Sequence, residues 1–184
     1  MAKKTVKKSA KKSVKQSVPK RAAKKKVAAI PAGYHTLTPY IVVRGAAKAI
    51  EWYEKALGAK KRVVMPAPDG SVMHAELAIN GSALMMGDEN LQMGAKSPET
   101  IGGSASGVHI YVADTDKLFA RAVAAGATVE MPPADMFWGD RYCKFVDPFG
   151  HKWSIATHIE DVSPKEMGKR AAAEMARMAA APKA

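Results

Sequence analysis

Four short segments carry side chains able to do chemistry. They are "MHAEL" with His74 and Glu76, "GVHIYV" with His109 and Tyr111, "FWGDRY" with Trp138, Asp140 and Arg141, and "GHKWSIATH" with His151, Ser154 and His158. Strand alternation sorts them by face. In "HAELAI" the residues Ala75, Leu77 and Ile79 form an apolar face, and His74, Glu76 and Ala78 form the opposite one. An imidazole and a carboxylate two residues apart on one face suit metal ligation, general acid–base work or the orienting of a polar ligand. In "KWSIATH" Trp153, Ile155 and Thr157 share the apolar face, while Lys152, Ser154, Ala156 and His158 share the other. His151 has the parity of Trp153 and adjoins a turn, so it reads as a surface hairpin residue. His158 lies on the polar side, near the strand's far end. In "GVHIYVA" the polar side holds Gly107, His109 and Tyr111. No nucleophile-elbow sequence accompanies Ser154 or the single cysteine, Cys143, which reads as inert packing.

Strands must position these groups, and the chain supplies them twice. From Thr36 run "TLTPYIVV", a helix "GAAKAIEWYEKALGA" closing on Gly58, the strand "KKRVVM", and then "SVMHAELAI" and "SALMMGDE" about Asn80-Gly81. Asn-Gly between two strand-like runs signals a type I′ hairpin, whose central residues need positive φ. From Gly107 run "GVHIYVA", a helix "DTDKLFARAVAAGA" closing on Gly126, "TVEM", and then "RYCKFV" and "KWSIATH" about Asp147-Pro148-Phe149-Gly150, a type I turn signal. Val43 and Val112, Gly70 and Gly139, and Gly81 and Gly150 are each 69 residues apart; Gly58 and Gly126 are 68 apart. The pattern is βαβββ, repeated. Carrying Val72, His74 and Glu76 forward by 69 predicts that Arg141, Cys143 and Phe145 share their face. The helices should bury Ile50, Tyr53 and Leu57 in one copy and Leu118, Ala122 and Val123 in the other. Ser163, Pro164 and Glu166 form a capping box that opens a last Ala/Met-rich helix. The expected boundaries are 34–90 and 107–160 for the copies, 91–106 for a Gly/Ser-rich linker and 163–181 for the last helix.

Paired segments such as "TPYIVVRGAAKAIEWYEKALGA", "MHAELAINGSALMMGDE" and "FWGDRYCKFVDPFGHKWSIATHIEDVSPKEM" resemble the glyoxalase / bleomycin-resistance / extradiol-dioxygenase superfamily, or vicinal oxygen chelate proteins. Within it they look like the PhnB-like branch. The resemblance implies an α+β fold of two paired βαβββ modules, with curved sheets around a cavity and helices on the outer face. It also implies a homodimer, with the last helix available to pack on the partner. Metal-dependent members take ligands from the first and last strand of each module. The matching positions here are Thr38, Met85, Gly107 and Ser154, none of them a His or a carboxylate. No cofactor is therefore expected, and a divalent metal on displaced ligands (His74, Glu76, His109) is the alternative. The expected ligand-binding set is Tyr40, His74, Glu76, His109, Tyr111, Trp138, Asp140, Arg141, Ser154 and His158. In the "FWGDRY" loop Trp138 could stack, Gly139 could allow close approach, and Asp140 and Arg141 could pair with each other or with ligand. The leading functional expectation is binding of a small organic molecule without metal; a metal-dependent lyase or dioxygenase is the enzymatic rival.

The charge of +12 on 184 residues is confined to one end. Twelve of the 29 Lys and Arg lie in residues 1–27, which hold no Asp or Glu; the other 17 are matched by 17 acidic residues. Residues 3–18 read KKTV, KKSA, KKSV, KQSV, a low-complexity repeat that resembles linker-histone tails. Such a segment, placed at 1–30, is too poor in large apolar groups to fold, and it attracts polyphosphate through counterion release. DNA or RNA bound without sequence preference through residues 3–26 is thus a second expectation, and a nucleoid-associated protein a third functional reading. The tail reads poorly as a targeting peptide, and no run reaches the roughly 20 apolar residues of a membrane span. One cysteine permits a reducing compartment, so a cytoplasmic location is expected.

Overall fold

The computed structural model describes residues 27–180, so the expectations for the basic tail lie outside the described residues. The fold is α+β. Its elements are β1 (Tyr40–Val43), α1 (Ala46–Leu57), β2 (Lys60–Pro66), β3 (Val72–Ile79), β4 (Ser82–Asp88), a one-turn α2 (Pro98–Ile101), β5 (Gly107–Tyr111), α3 (Thr115–Ala124), β6 (Thr128–Asp135), β7 (Asp140–Val146), β8 (Lys152–His158) and α4 (Pro164–Ala180). They form two four-stranded sheets, ordered β1-β4-β3-β2 and β5-β8-β7-β6. In each, the first strand of the module lies parallel to the last and every other neighbour is antiparallel. Among the described residues no helix is long and apolar enough to cross a membrane.

One face of each sheet is covered by its helix, and the core lies there. Tyr53, Leu77, Met86, Phe145, Trp153 and Ile155 are all buried in it. The two modules share this core through α1 and α3: the Trp52 indole donates to the Ala125 carbonyl (2.8 Å) and the Tyr53 hydroxyl to Asp147 (2.6 Å). Asp147 is 4 % exposed and also accepts from the Trp153 indole and from the backbone N–H groups of Phe149 and His151. A carboxylate with four donors is a satisfied buried anion, and here it clasps one module to the other's hairpin. The hairpins form as their sequences require. Asn80 and Gly81 take φ of 46° and 85°, and the Gly150 N–H bonds the Asp147 carbonyl across the second turn (3.0 Å).

Three expectations about facing are corrected. Arg141, Cys143 and Phe145 lie on the helix side: Cys143 and Phe145 are fully buried, and the Arg141 guanidinium bonds Asp116 of α3 (2.9 and 2.7 Å) and Asp135 (3.1 Å). The cause is a one-residue difference in the hairpins. The first closes Ile79 on Ser82 with two residues between, whereas the second closes Asp147 on His151 with three, and Leu77–Leu84 corresponds to Phe145–Trp153. The interval is thus 68 residues on β3 and β7 but 69 on β4 and β8, and one step of register exchanges every face. Val123 is 39 % exposed, because Leu118 and Ala122 already complete the stripe that α3 turns inward. His151 is no free surface residue. Its loop folds back so that Nε2 donates to the Val42 carbonyl of the first module (3.0 Å).

α4 begins as its capping box demands, with the Glu166 N–H bonded to the Ser163 hydroxyl (3.3 Å). It buries no residue; the guanidinium of Arg170 holds it to Glu160 (2.7 and 2.8 Å). The segment 91–106 contains a 3-10 turn at Leu91–Met93 and α2.

Candidate functional site

The faces turned away from the helices carry the polar side chains, row by row. In the first sheet Glu76, Met85 and Tyr40 stand side by side across β3, β4 and β1. His74 donates from Nε2 to Glu76 Oε1 (3.1 Å) and lies under the Tyr40 ring, with centroids 5.9 Å apart and planes 24° from parallel. The second Glu76 oxygen accepts from the Tyr34 hydroxyl. Tyr34 belongs to an irregular lead-in that crosses this face, and a hollow of about 550 Å³ lies between the lead-in and the sheet, bounded by Ile30, Tyr34, Thr38, Glu76 and Met85. The Arg62 guanidinium sits 5.9 Å over the Tyr34 ring. The hydrogen bonds from Tyr34 and then His74 hold the Glu76 carboxyl below its usual range, and the same bond raises the Tyr34 phenol. Periodicity did not find Tyr34, because it precedes β1 and belongs to no strand.

In the second sheet the corresponding row is Lys144, Ser154 and His109, and the next is Tyr142, Ala156 and Tyr111. His109 Nδ1 and Ser154 Oγ are hydrogen-bond partners at 2.8 Å. The His109 ring meets Tyr111 edge-on (4.8 Å) and stacks with Tyr142 (6.1 Å), and Tyr142 meets Trp138 (5.5 Å). Asp140, 4 % exposed, accepts from the Trp138 indole (2.9 Å), the Tyr111 hydroxyl (3.2 Å) and His158 Nδ1 (2.8 Å). His158 Nε2 bonds Asp161 (3.0 Å). Both ring nitrogens can donate only in the imidazolium, so Asp140 first and Asp161 second raise the His158 pKa. Between the sheets, beside the edge strand β5, opens a cleft of about 500 Å³ bounded by Leu37, Asn80, Leu84, His109, Ile110 and Tyr111.

The structure therefore gathers Tyr40, His74 and Glu76 on one open face and His109, Tyr111, Trp138, Asp140, Ser154 and His158 on the other. Arg141 joins neither, and its pairing is with Asp116 and Asp135 rather than Asp140. Tyr142 and Lys144, which sequence analysis missed, replace Cys143 and Phe145 there; the corrected register is the signal that finds them. Gly139 admits close approach, but of backbone: a Cβ there would lie 2.1 Å from the Glu160 carbonyl oxygen. Burial pushes the Cys143 thiol up to about 11.

The metal that the resemblance implies calls for His or carboxylate donors at four positions. Thr38, Met85, Gly107 and Ser154 offer two neutral hydroxyls, a soft thioether and no side chain at all, with no imidazole, carboxylate or thiolate among them. The displaced set is divided, since His74 is bonded to Glu76 on one sheet and His109 to Ser154 on the other. Among the described residues no three His, Cys, Asp or Glu groups converge.

The sequence profile of the Glyoxalase/Bleomycin resistance protein/Dioxygenase superfamily matches residues 34–155, and the chain belongs to that superfamily. An uncharacterized protein of Mycobacterium bovis is 44% identical over 134 residues, which cover 71% of this chain and 88% of the relative. Among solved structures, TioX from Micromonospora sp. ML1 is 26% identical with a TM-score of 0.53, over 67% of this chain and 98% of that one. A PhnB protein from Bacillus cereus, described as a putative 3-demethylubiquinone-9 3-methyltransferase, shares the fold at 17% identity and a TM-score of 0.53, over 67% and 99%.

Proposed function

We propose that this chain is a binding protein of the glyoxalase/bleomycin-resistance type, which holds a small planar organic molecule beside the cleft between its sheets without a metal. The observation that carries this reading is the array Tyr111–His109–Tyr142–Trp138, bordered by Lys144 and Ser154. Aromatic faces supply stacking area, and a lysine with a hydroxyl supplies donors for a carboxylate or carbonyl. The cleft falls within the size range of small-molecule sites. Planar aromatic acids titrated into the full chain by calorimetry should bind, and Tyr142→Ala should abolish that binding. A panel in which none binds would overturn the reading. Metal independence rests on the donor chemistry above. Elemental analysis of protein purified without affinity metal should find less than one transition metal per chain, and EDTA should leave Tm unchanged. One tightly held metal per chain would favour the lyase or dioxygenase reading instead.

Three finer readings go with it. We place the chain in the PhnB-like branch on the motifs quoted above. A homodimer would cover the open faces, whose Tyr40, Met65 and Tyr111 are 52%, 45% and 58% exposed; sedimentation should report twice the chain mass. The basic tail supports nonspecific nucleic-acid binding. Deleting residues 1–27 should abolish DNA binding without altering the fold, and the full chain's log K should fall with log salt by about 0.9 per phosphate contact.

A further inference from the structure

We propose that the open face of the first module is a second binding site, selective for phenols, which the chain's own Tyr34 fills when no ligand is present. Tyr34 makes the contacts that a bound phenol would make. Its hydroxyl donates to Glu76, whose other oxygen is taken by His74, and its ring lies under the Arg62 guanidinium. An ionised carboxylate only accepts hydrogen bonds, so the complementary group must be a donor. A cation over the ring face selects an aromatic carrier for that donor. The Tyr40–His74 stack borders the site, and the hollow of about 550 Å³ leaves room for substituents.

The lead-in is lightly fixed. Residues 27–38 belong to no strand; beyond the Met85 N–H bond to the Pro39 carbonyl that starts β1 (2.9 Å), the side-chain bond holding them to the sheet, apart from that of Tyr34, is from Arg62 to the Gly33 carbonyl (3.0 Å). Ile30 is 48% exposed and Leu37 89% exposed, so neither anchors it. The second module has no such plug: 69 residues beyond Tyr34 is Gly103, and Lys144 stands where Glu76 does. An internal ligand on a short tether competes at an effective concentration in the millimolar range, and it lowers the apparent affinity for a free phenol by the fraction of chains left open.

The test uses the full chain and p-cresol, which is the tyrosine side chain freed from its backbone, with 4-methylanisole as the ring that lacks the donor. Binding is read from amide chemical shifts of Glu76, Met85 and their neighbours. Tyr34→Ala should raise p-cresol affinity at least tenfold and leave 4-methylanisole unbound. Tyr34→Phe should give a smaller gain, because the ring stays while the hydroxyl goes. Adding Glu76→Gln to Tyr34→Ala should lose most of the gained affinity. Equal p-cresol affinity in the wild type and Tyr34→Ala would overturn the proposal, as would equal binding of 4-methylanisole. Loss of folding in Tyr34→Ala would overturn it too, by making the lead-in part of the fold. Neither Tyr34 nor Glu76 lines the cleft, so failure here leaves the cleft reading standing.

Discussion

The two sheets are built alike and differ most on the faces that no helix covers. On the helix side, Ala75, Leu77, Leu84 and Met86 correspond to Cys143, Phe145, Trp153 and Ile155, and all eight are buried and apolar. On the open side, Glu76–Met85–Tyr40 corresponds to Lys144–Ser154–His109, and a carboxylate is replaced by an ammonium. Close packing leaves little freedom at a helix–sheet interface, whereas an open face must only stay solvated or meet a ligand. The first face thus offers an acceptor for donors, and the second offers donors for an acceptor.

The largest effects should separate the helix side from the open side. Phe145→Ala should cost about 3–5 kcal/mol and Leu77→Ala about 2–5 kcal/mol by denaturant unfolding, because each empties a packed site. Lys144→Ala should cost no more than about 0.5 kcal/mol, as an exposed substitution does. A destabilising Lys144→Ala beside a silent Phe145→Ala would restore the 69-residue register and invert the second face.

A smaller effect should separate the two open faces. For an aromatic acid bound beside the cleft, Lys144→Ala should weaken affinity roughly tenfold, the worth of one charge-assisted hydrogen bond. Glu76→Gln should leave that affinity unchanged, since Glu76 faces the lead-in. Equal losses in the two variants would mean that one ligand spans both faces.

The smallest effect concerns His158, which has no counterpart in the first sheet. Its imidazolium is stabilised by Asp140 and Asp161, so its NMR titration midpoint should lie above about 6.5. A raised pKa in the folded state gives stability that is fully present below the unfolded value and is lost as pH rises through the folded one. Asp140→Asn should lower the midpoint. An unchanged midpoint would make Asp161 the partner that matters.

Much of this was legible in the sequence. Alternation in "HAELAI" placed Leu77 among the helices and Glu76 opposite them, and the glycines and turns marked both βαβββ units, because local periodicity and turn chemistry are properties of neighbouring residues. The second open face was not legible in full. Whether Phe145 or Lys144 turns toward the helix depends on the one extra residue between Asp147 and His151, and only strand pairing reveals how that loop is absorbed. Contacts between distant segments were out of reach altogether. Tyr34 on Glu76, His151 on Val42 and Tyr53 on Asp147 join residues 42, 109 and 94 positions apart, and no sequence period encodes such separations. The sequence alone therefore determined which residues could line a face and that there are two such faces. Tertiary structure decided which of those side chains meet, because meeting depends on how the chain returns on itself.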